Sequence, residues 1–151
     1  MPIISRALTA AGLSTVLLLA SCVDGTGRDV EYGLSAVPDL GDLDGRTLVA
    51  DRIVDPDRDI VPSSRITMSF TTDSVSVDAG CNTLTGTASI DDHELVVDQL
   101  ASTLQACDDA LEEQDRWLTS FLTSRPRFDR TDDDFHLSRD DTEIHLTLED
   151  D

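Results

Sequence analysis

Lysine is absent from this chain: all 11 basic residues are Arg, set against 31 acidic residues, for a formal net charge of −20. An excess of this size repels nucleic acid and anionic lipid head groups alike, which excludes a nucleic-acid-binding role. Most of the acids are Asp. We read the imbalance as adaptation of the surface to salt, or as GC-rich codon usage that favours Asp and Arg over Glu and Lys, rather than as a recognition device. The chain also lacks an apolar run long enough to cross a bilayer, a Gly-x-Ser-x-Gly elbow for a nucleophilic serine, and any internal repeat of 20–50 residues. Cysteine is sparse, at three residues, and none of the three His stands at a finger-like spacing from it, which argues against a zinc site.

What is present begins with a leader. Met1–Arg6 carries one positive side chain, and Ala7–Ala20 is a 14-residue, mostly apolar run, the length of a signal-peptide core. It ends in Leu19-Ala20-Ser21-Cys22, which resembles a bacterial lipobox, so residues 1–21 are expected to be cleaved and Cys22 to become the lipidated first residue. Several acyl chains on that residue anchor a soluble domain stably, where one would not. Taking 21 residues from 151 leaves 130, enough for one domain. Residues 22–42 contain four Gly and several Asp without periodicity and read as a tether. Such a chain reaches on the order of 25 Å. The domain is then expected over 43–151, as a monomer held on the cell membrane and facing away from the cytoplasm.

After Gly45, short alternating segments dominate. In Arg65–Thr71, Ile66, Met68 and Phe70 share one face, and in Ser74–Ala79, Val75, Val77 and Ala79 do. The same reasoning predicts strands at Thr47–Ile53, Thr83–Ile90, Glu94–Val97, Arg127–Arg130, Phe135–Ser138 and Glu143–Leu148, separated by Asp-rich turns. Within Asp109–Ser124 the period changes: Ala110, Leu111, Gln114, Trp117, Leu118, Phe121 and Leu122 fall on one helical face, leaving Glu112, Glu113, Asp115, Arg116 and Thr119 elsewhere. Asp109 is the expected cap, Pro126 marks the end, and Trp117 belongs to the core. About eight strands with one late helix predict a mainly β fold, a small antiparallel barrel-like curved sheet with the amphipathic helix packed on it. An open two-layer α+β sheet is the alternative.

With Cys22 assigned to lipid, Cys81 and Cys107 form an even pair in a chain that leaves the cytoplasm, which favours a disulfide. Closing a loop of about 26 residues stabilises by about 3.5 kcal/mol on the chain-entropy model. A nucleophilic role for Cys81 would need a base, and His93 is the histidine close to it in sequence, in an acidic turn that would raise the thiol pKa. Around Cys81, Gly80 lets the chain bend or a neighbour approach, Asn82 can bond its own backbone at that bend, and Gly86 leaves space on the following strand.

Ala79-Gly80-Cys81-Asn82-Thr83-Leu84-Thr85-Gly86, then Ser102-Thr103-Leu104-Gln105-Ala106-Cys107 ahead of an acid-capped helix, with Leu43-Asp44-Gly45 upstream, resemble the META domain (HslJ-like) proteins over about Leu43–Leu148. The resemblance implies a compact, mainly β domain, often exported as a lipoprotein and associated with stress or antibiotic tolerance, or in some protozoan members with virulence or motility. It makes Gly80, Asn82, Gly86 and Thr103 the structural motif and brings no catalytic residue and no cofactor. The chain departs from the usual pattern at Leu48, where many members have Trp, and at Asp78, where Gly is common.

Two surface constellations bear on metals. A hairpin centred on Asp140-Asp141 would set Leu137 opposite Ile144 and Phe135 opposite Leu146 toward the core, and His136 opposite His145 outside, close enough for two imidazoles to share a transition metal. Asp55-Pro56-Asp57-Arg58-Asp59 begins like a calcium loop but has Ile60 where Gly is needed and Ile66 where Glu is needed, so it reads as an acidic turn. The function expected from all of this is a non-enzymatic, lipid-anchored envelope module that binds another envelope protein or buffers envelope proteins under stress. The alternative is a protease inhibitor presenting the loop Asp55–Ser64.

Overall fold

The computed structural model describes residues 35–57 and 64–149, which fall within one compact unit, Tyr32–Asp151. The expected signal peptide, Cys22 and most of the tether lie outside the described residues, as do 58–63 of the loop considered for inhibition and for calcium.

Eight strands form a ring: β1 (Thr47–Val54), β2 (Thr67–Phe70), β3 (Ser74–Asp78), β4 (Thr83–Asp91), β5 (Glu94–Ser102), β6 (Arg127–Thr131), β7 (Asp134–Arg139) and β8 (Thr142–Leu148). Each pairs antiparallel with the next, and β8 returns to β1 along a register running from Leu48↔Leu148 to Val54↔Glu143. That last pairing closes the barrel and rules out the open two-layer sheet. The alternating apolar positions point inward, with Leu48, Met68, Val77, Leu95, Phe128, Leu137 and Ile144 all fully buried. Phe128 stacks against Phe70 at 5.8 Å between centroids and lies 6.1 Å from Phe135, so three aromatic rings fill the space where β2, β6 and β7 face one another.

The weakest seam is between β5 and β6, where one residue pair, Glu94↔Arg127, is in register. Leu95 N donates to Pro126 O and Phe128 N to His93 O, both at 2.8 Å, and beyond these bonds the strands diverge. The chain between them forms helix α1 (Asp109–Thr123), which packs against β5. Its cap is Asp108, one residue earlier than the pattern suggested: Asp108 Oδ1 accepts from Ala110 N and Leu111 N at 3.1 Å each, so Asp109 and Glu112 become first-turn acids beside the positive end of the helix dipole. Trp117, Leu118, Phe121 and Leu122 are buried as expected. Trp117 stacks on Phe121 at 5.7 Å, and its Nε1 donates to Asp55 Oδ2 at 2.6 Å, tying the end of β1 to the helix.

Packing on the barrel starts before Leu43. Ala36 and Arg130 exchange two backbone hydrogen bonds of 2.8 and 2.7 Å, and a 3-10 turn at Leu40–Leu43, capped by Asp39 accepting from Gly41 N at 2.8 Å, buries both of its leucines. Leu40 and Leu43 supply apolar surface that the core takes up, so the packed domain includes residues upstream of the expected start at 43.

Candidate functional site

The turn from β3 to β4 is held by side chains on both flanks. Asp78 Oδ1 accepts from Gly80 N at 2.9 Å, so Asp78 makes the local turn bond expected of Asn82. Gly80 has φ +94°, and a Cβ there would stand 3.0 Å from Ser64 Cβ and 3.3 Å from Gln114 Nε2. Backbone conformation and space thus both require glycine at this point. Gln114 of α1 closes over the turn: its Nε2 donates to Ala79 O at 2.7 Å and its Oε1 accepts from Ser64 Oγ at 2.7 Å. A buried amide on the apolar helix face is tolerated because both of its ends are bonded.

Cys81 and Cys107 are joined in a disulfide, with Cα atoms 6.1 Å apart across 26 residues. The bond fixes the β3–β4 turn to the loop that leads into α1. Cys81 is thereby withdrawn from nucleophilic chemistry, and the His93 ring stands beside Asp129, at 3.6 Å, and Arg127, at 3.3 Å.

Asn82 is buried, and its side chain reaches away from its own turn. Nδ2 donates to Asp115 Oδ2 at 2.6 Å, while Oδ1 accepts from Gln105 N at 2.8 Å and Thr103 Oγ1 at 2.9 Å. This corrects the expectation of a local backbone bond: with Asp78 occupying the turn, Asn82 is free to link β4 to the pre-helix loop and to α1. Thr103 Oγ1 in addition accepts from Thr83 N at 3.0 Å. Asn82 and Thr103, both in the motif that the resemblance gave, are therefore joined in one clamp, beside the turn that Gly80 makes. Gly86 lies further along β4, where a Cβ would meet Asp98 O at 2.8 Å.

Asp115 is the member of the clamp that the sequence reading placed wrongly. Left off the apolar helical face in that reading, it is 7% exposed and accepts at Oδ2 from both Asn82 N, at 3.1 Å, and Asn82 Nδ2. A signal was present: Leu111, Asp115, Leu118 and Leu122 recur at helical spacing, which puts the carboxylate inside the apolar stripe. Beside the clamp runs an open groove of about 520 Å³, lined by Asn82, Thr103, Leu104, Ala106, Asp115 and Thr119 among others. A second groove, of about 490 Å³, lies between Trp117 and Phe121 and the turn at Asp140–Thr142. Its arginines are already engaged, Arg116 with Glu113 at 3.2 Å and Arg139 with Glu94 at 3.3 Å.

The two histidines on β7 and β8 stand opposite each other as the turn predicts, with rings T-shaped at 4.5 Å between centroids. Arg52 of β1 reaches the same spot, its Nη2 lying 2.6 Å from His145 Nε2, and Glu143 Oε2 is 3.2 Å from that nitrogen. The guanidinium therefore sits at an atom a shared metal would need. Among the described residues no group of three or more His, Cys, Asp or Glu is arranged to hold a metal ion. Asp55 of the acidic turn spends both oxygens on N–H donors, Oδ2 on Trp117 and Oδ1 on Asp57 N at 2.9 Å.

Comparison with known proteins agrees with this architecture. The META domain family model matches residues 40–151, a span that starts at the buried Leu40. Two solved structures are similar in fold: an NMR structure of a protein from Burkholderia xenovorans, 19% identical, with a TM-score of 0.61 over 74% of this chain and 87% of that one; and a further protein solved by NMR, 20% identical, with a TM-score of 0.58 over 72% of this chain and 93% of that one. A search of curated proteins finds no match. From the 3-10 turn to its end, this chain belongs to the META domain family.

Proposed function

We propose that this protein is an exported, lipid-anchored META domain that acts as a non-catalytic binding module of the cell envelope. The observation that carries the reading is the Cys81–Cys107 bond, which leaves Cys22 as the remaining thiol of the chain. Disulfides persist in oxidising compartments, and the leader ahead of Cys22 supplies a route to one. In support of a binding role, the side chains of the motif that could do chemistry are spent on holding it together: Cys81 in the disulfide, Asn82 and Thr103 in the clamp. What the clamp builds is a rigid groove between the pre-helix loop and α1. The inhibitor reading depends on a loop of which 58–63 lie outside the described residues, and no described contact favours it.

The test is metabolic labelling of producing bacteria with a palmitate analogue, followed by alkylation of the purified protein under denaturing, non-reducing conditions. We expect label in the membrane fraction, lost in Cys22→Ala, and neither Cys81 nor Cys107 alkylated. An unlabelled wild-type protein, or free thiols at both positions, would remove the basis of the reading.

A further inference from the structure

Leu104 is 98% exposed, while Val37 and Val54, the other large hydrophobic side chains exposed among the described residues, reach 38% and 39%. A single leucine in water means little on a loose loop tip. This loop is staked on both sides of Leu104 by three consecutive residues, Cys81, Asn82 and Thr83. Before it, Thr103 N donates to Thr83 O at 3.1 Å and Thr103 Oγ1 accepts from Thr83 N at 3.0 Å. After it, Cys107 is bonded to Cys81. Between them Asn82 Oδ1 accepts from Thr103 Oγ1 at 2.9 Å and from Gln105 N at 2.8 Å, so one buried amide spans the leucine. Leu104 alone is left out: neither its N–H nor its C=O makes a hydrogen bond among the described residues.

From 103 to 108 the chain has no turn or bend and no positive φ, so it is presented as an extended segment. An extended segment with one residue's side chain and both of its main-chain polar groups unused suits an endopeptidase cleft. Such a cleft bonds the main chain of the residue before the scissile bond and receives its side chain in a pocket. Because the residues on either side are already fixed, docking costs the loop little conformational freedom. The leucine side chain calls for an apolar pocket. A compartment oxidising enough to keep the Cys81–Cys107 bond favours a hydroxyl over a thiol as the enzyme's nucleophile.

We propose that residues 103–106 are the reactive loop of an inhibitor of serine endopeptidases with an apolar primary pocket, with Leu104 filling that pocket. The enzyme's serine hydroxyl adds to the Leu104 carbonyl carbon. Its proton passes through the enzyme's base to Gln105 N as the peptide C–N bond breaks, leaving a Leu104 ester and a Gln105 amine. In a loose substrate the amine departs and water takes its place. Here the amine can still donate to Asn82 Oδ1, and Cys107 still holds the new chain end to Cys81, two residues from the Thr83 that holds Thr103. The amine stays beside the ester at high effective concentration and re-forms the peptide bond, so the complex persists. The inference deepens the binding-module reading and rests on it, though not on the lipid anchor, and it uses a different loop from 55–64.

The experiment titrates the oxidised full chain, in non-ionic detergent, against chymotrypsin and trypsin, following hydrolysis of a chromogenic peptide for each. We expect competitive inhibition of chymotrypsin, whose pocket is apolar, and none of trypsin, whose pocket carries a carboxylate. Leu104→Gly should weaken inhibition of chymotrypsin about a hundredfold, the effect of losing a side chain that anchors an interface. Leu104→Arg should transfer inhibition to trypsin. Both variants change a side chain standing in solvent and leave the fold intact. Thr103→Val removes one of the stakes, and mass spectrometry of the reduced chain should show the bond after Leu104 cut severalfold faster than in the wild type. No inhibition of chymotrypsin, wild-type cleavage at a substrate's rate, inhibition unchanged in Leu104→Gly, no transfer to trypsin in Leu104→Arg, or equal cleavage in Thr103→Val would each overturn the proposal. Inhibition without palmitate label would remove the tether alone. Label without inhibition would remove the role of this loop alone.

Discussion

Asn82 joins three segments remote in sequence, and the cost of losing it follows from where its partners are. Asn82→Ala strips Asp115 of the 2.6 Å donor and leaves Gln105 N and Thr103 Oγ1 without their acceptor. We expect a loss of about 3 kcal/mol, dominated by the buried, charge-assisted bond. Thr103→Val keeps the shape and gives up the bonds at a more exposed residue, so about 1 kcal/mol is expected. Urea denaturation of the two variants checks the order, and equal losses would mean that the bond to Asp115 contributes little. Residue type alone was enough to place Gly80, Cys81 and Cys107, because few other roles suit a glycine beside a cysteine at a strand end in a chain expected to be exported. The partners of Asn82 were not legible, since an asparagine next to a bend bonds locally unless something else fills the turn. Here Asp78 does so. Asp115 was missed because charge outweighed position in the reading of the helix, and position decided its burial.

Elements were legible to the extent that they bury one face. β2, β3, β7 and β8 alternate cleanly and were placed to within a residue or two, and the hairpin register of β7 and β8 followed from the turn. β5 was expected to stop at Val97 yet runs to Ser102. Its second half, with Asp98, Gln99, Ala101 and Ser102 exposed and Gln99 at φ +53°, pairs with β4 by backbone bonds and buries little, so no alternation marks it. The irregularity has a partner on β4, where the register shifts between Thr85 and Thr87. Gly86 sits at that shift, and the Cβ of Gly86→Ala would come 2.8 Å from Asp98 O and 3.2 Å from Val97 Cγ1 and Leu100 Cδ1. Since a backbone oxygen cannot swing aside as a side chain can, β4 and β5 must separate locally. We expect a loss of about 2 kcal/mol, against a few tenths for Thr85→Ala on the exposed side of the same strand. Thermal unfolding of both variants tests this, and equal melting temperatures would mean that the shift absorbs a methyl group freely.

At the scale of the molecule, eight strands, one helix and a barrel-like sheet were readable from periodicity and strand spacing, whereas the register by which β8 returns to β1 was not, because that pairing joins the two ends of the domain and leaves no local trace. The charge was readable in full, and its consequence for stability depends on which of two opposed effects salt weakens more. Arginines on the surface are paired: Arg125 with Asp91 at 2.8 Å and Glu94 at 3.1 Å, Arg139 with Glu94 at 3.3 Å, Arg116 with Glu113 at 3.2 Å. All of these side chains are at least a third exposed, so each pair contributes little and screening removes little. Against them stand 31 acids facing 11 arginines, so most carboxylates have no cation to meet and repel one another across a small barrel. Raising NaCl from about 0.01 M to about 0.3 M shortens the Debye length from about 30 Å to about 6 Å, which cuts repulsion across the whole molecule while leaving contacts of 3 Å largely intact. Salt should therefore stabilise this protein, with a melting temperature higher by about 4 °C or more over that range in calorimetry. A fall in melting temperature would mean that the arginine pairs hold the barrel together and that the surplus acids are too far apart to matter.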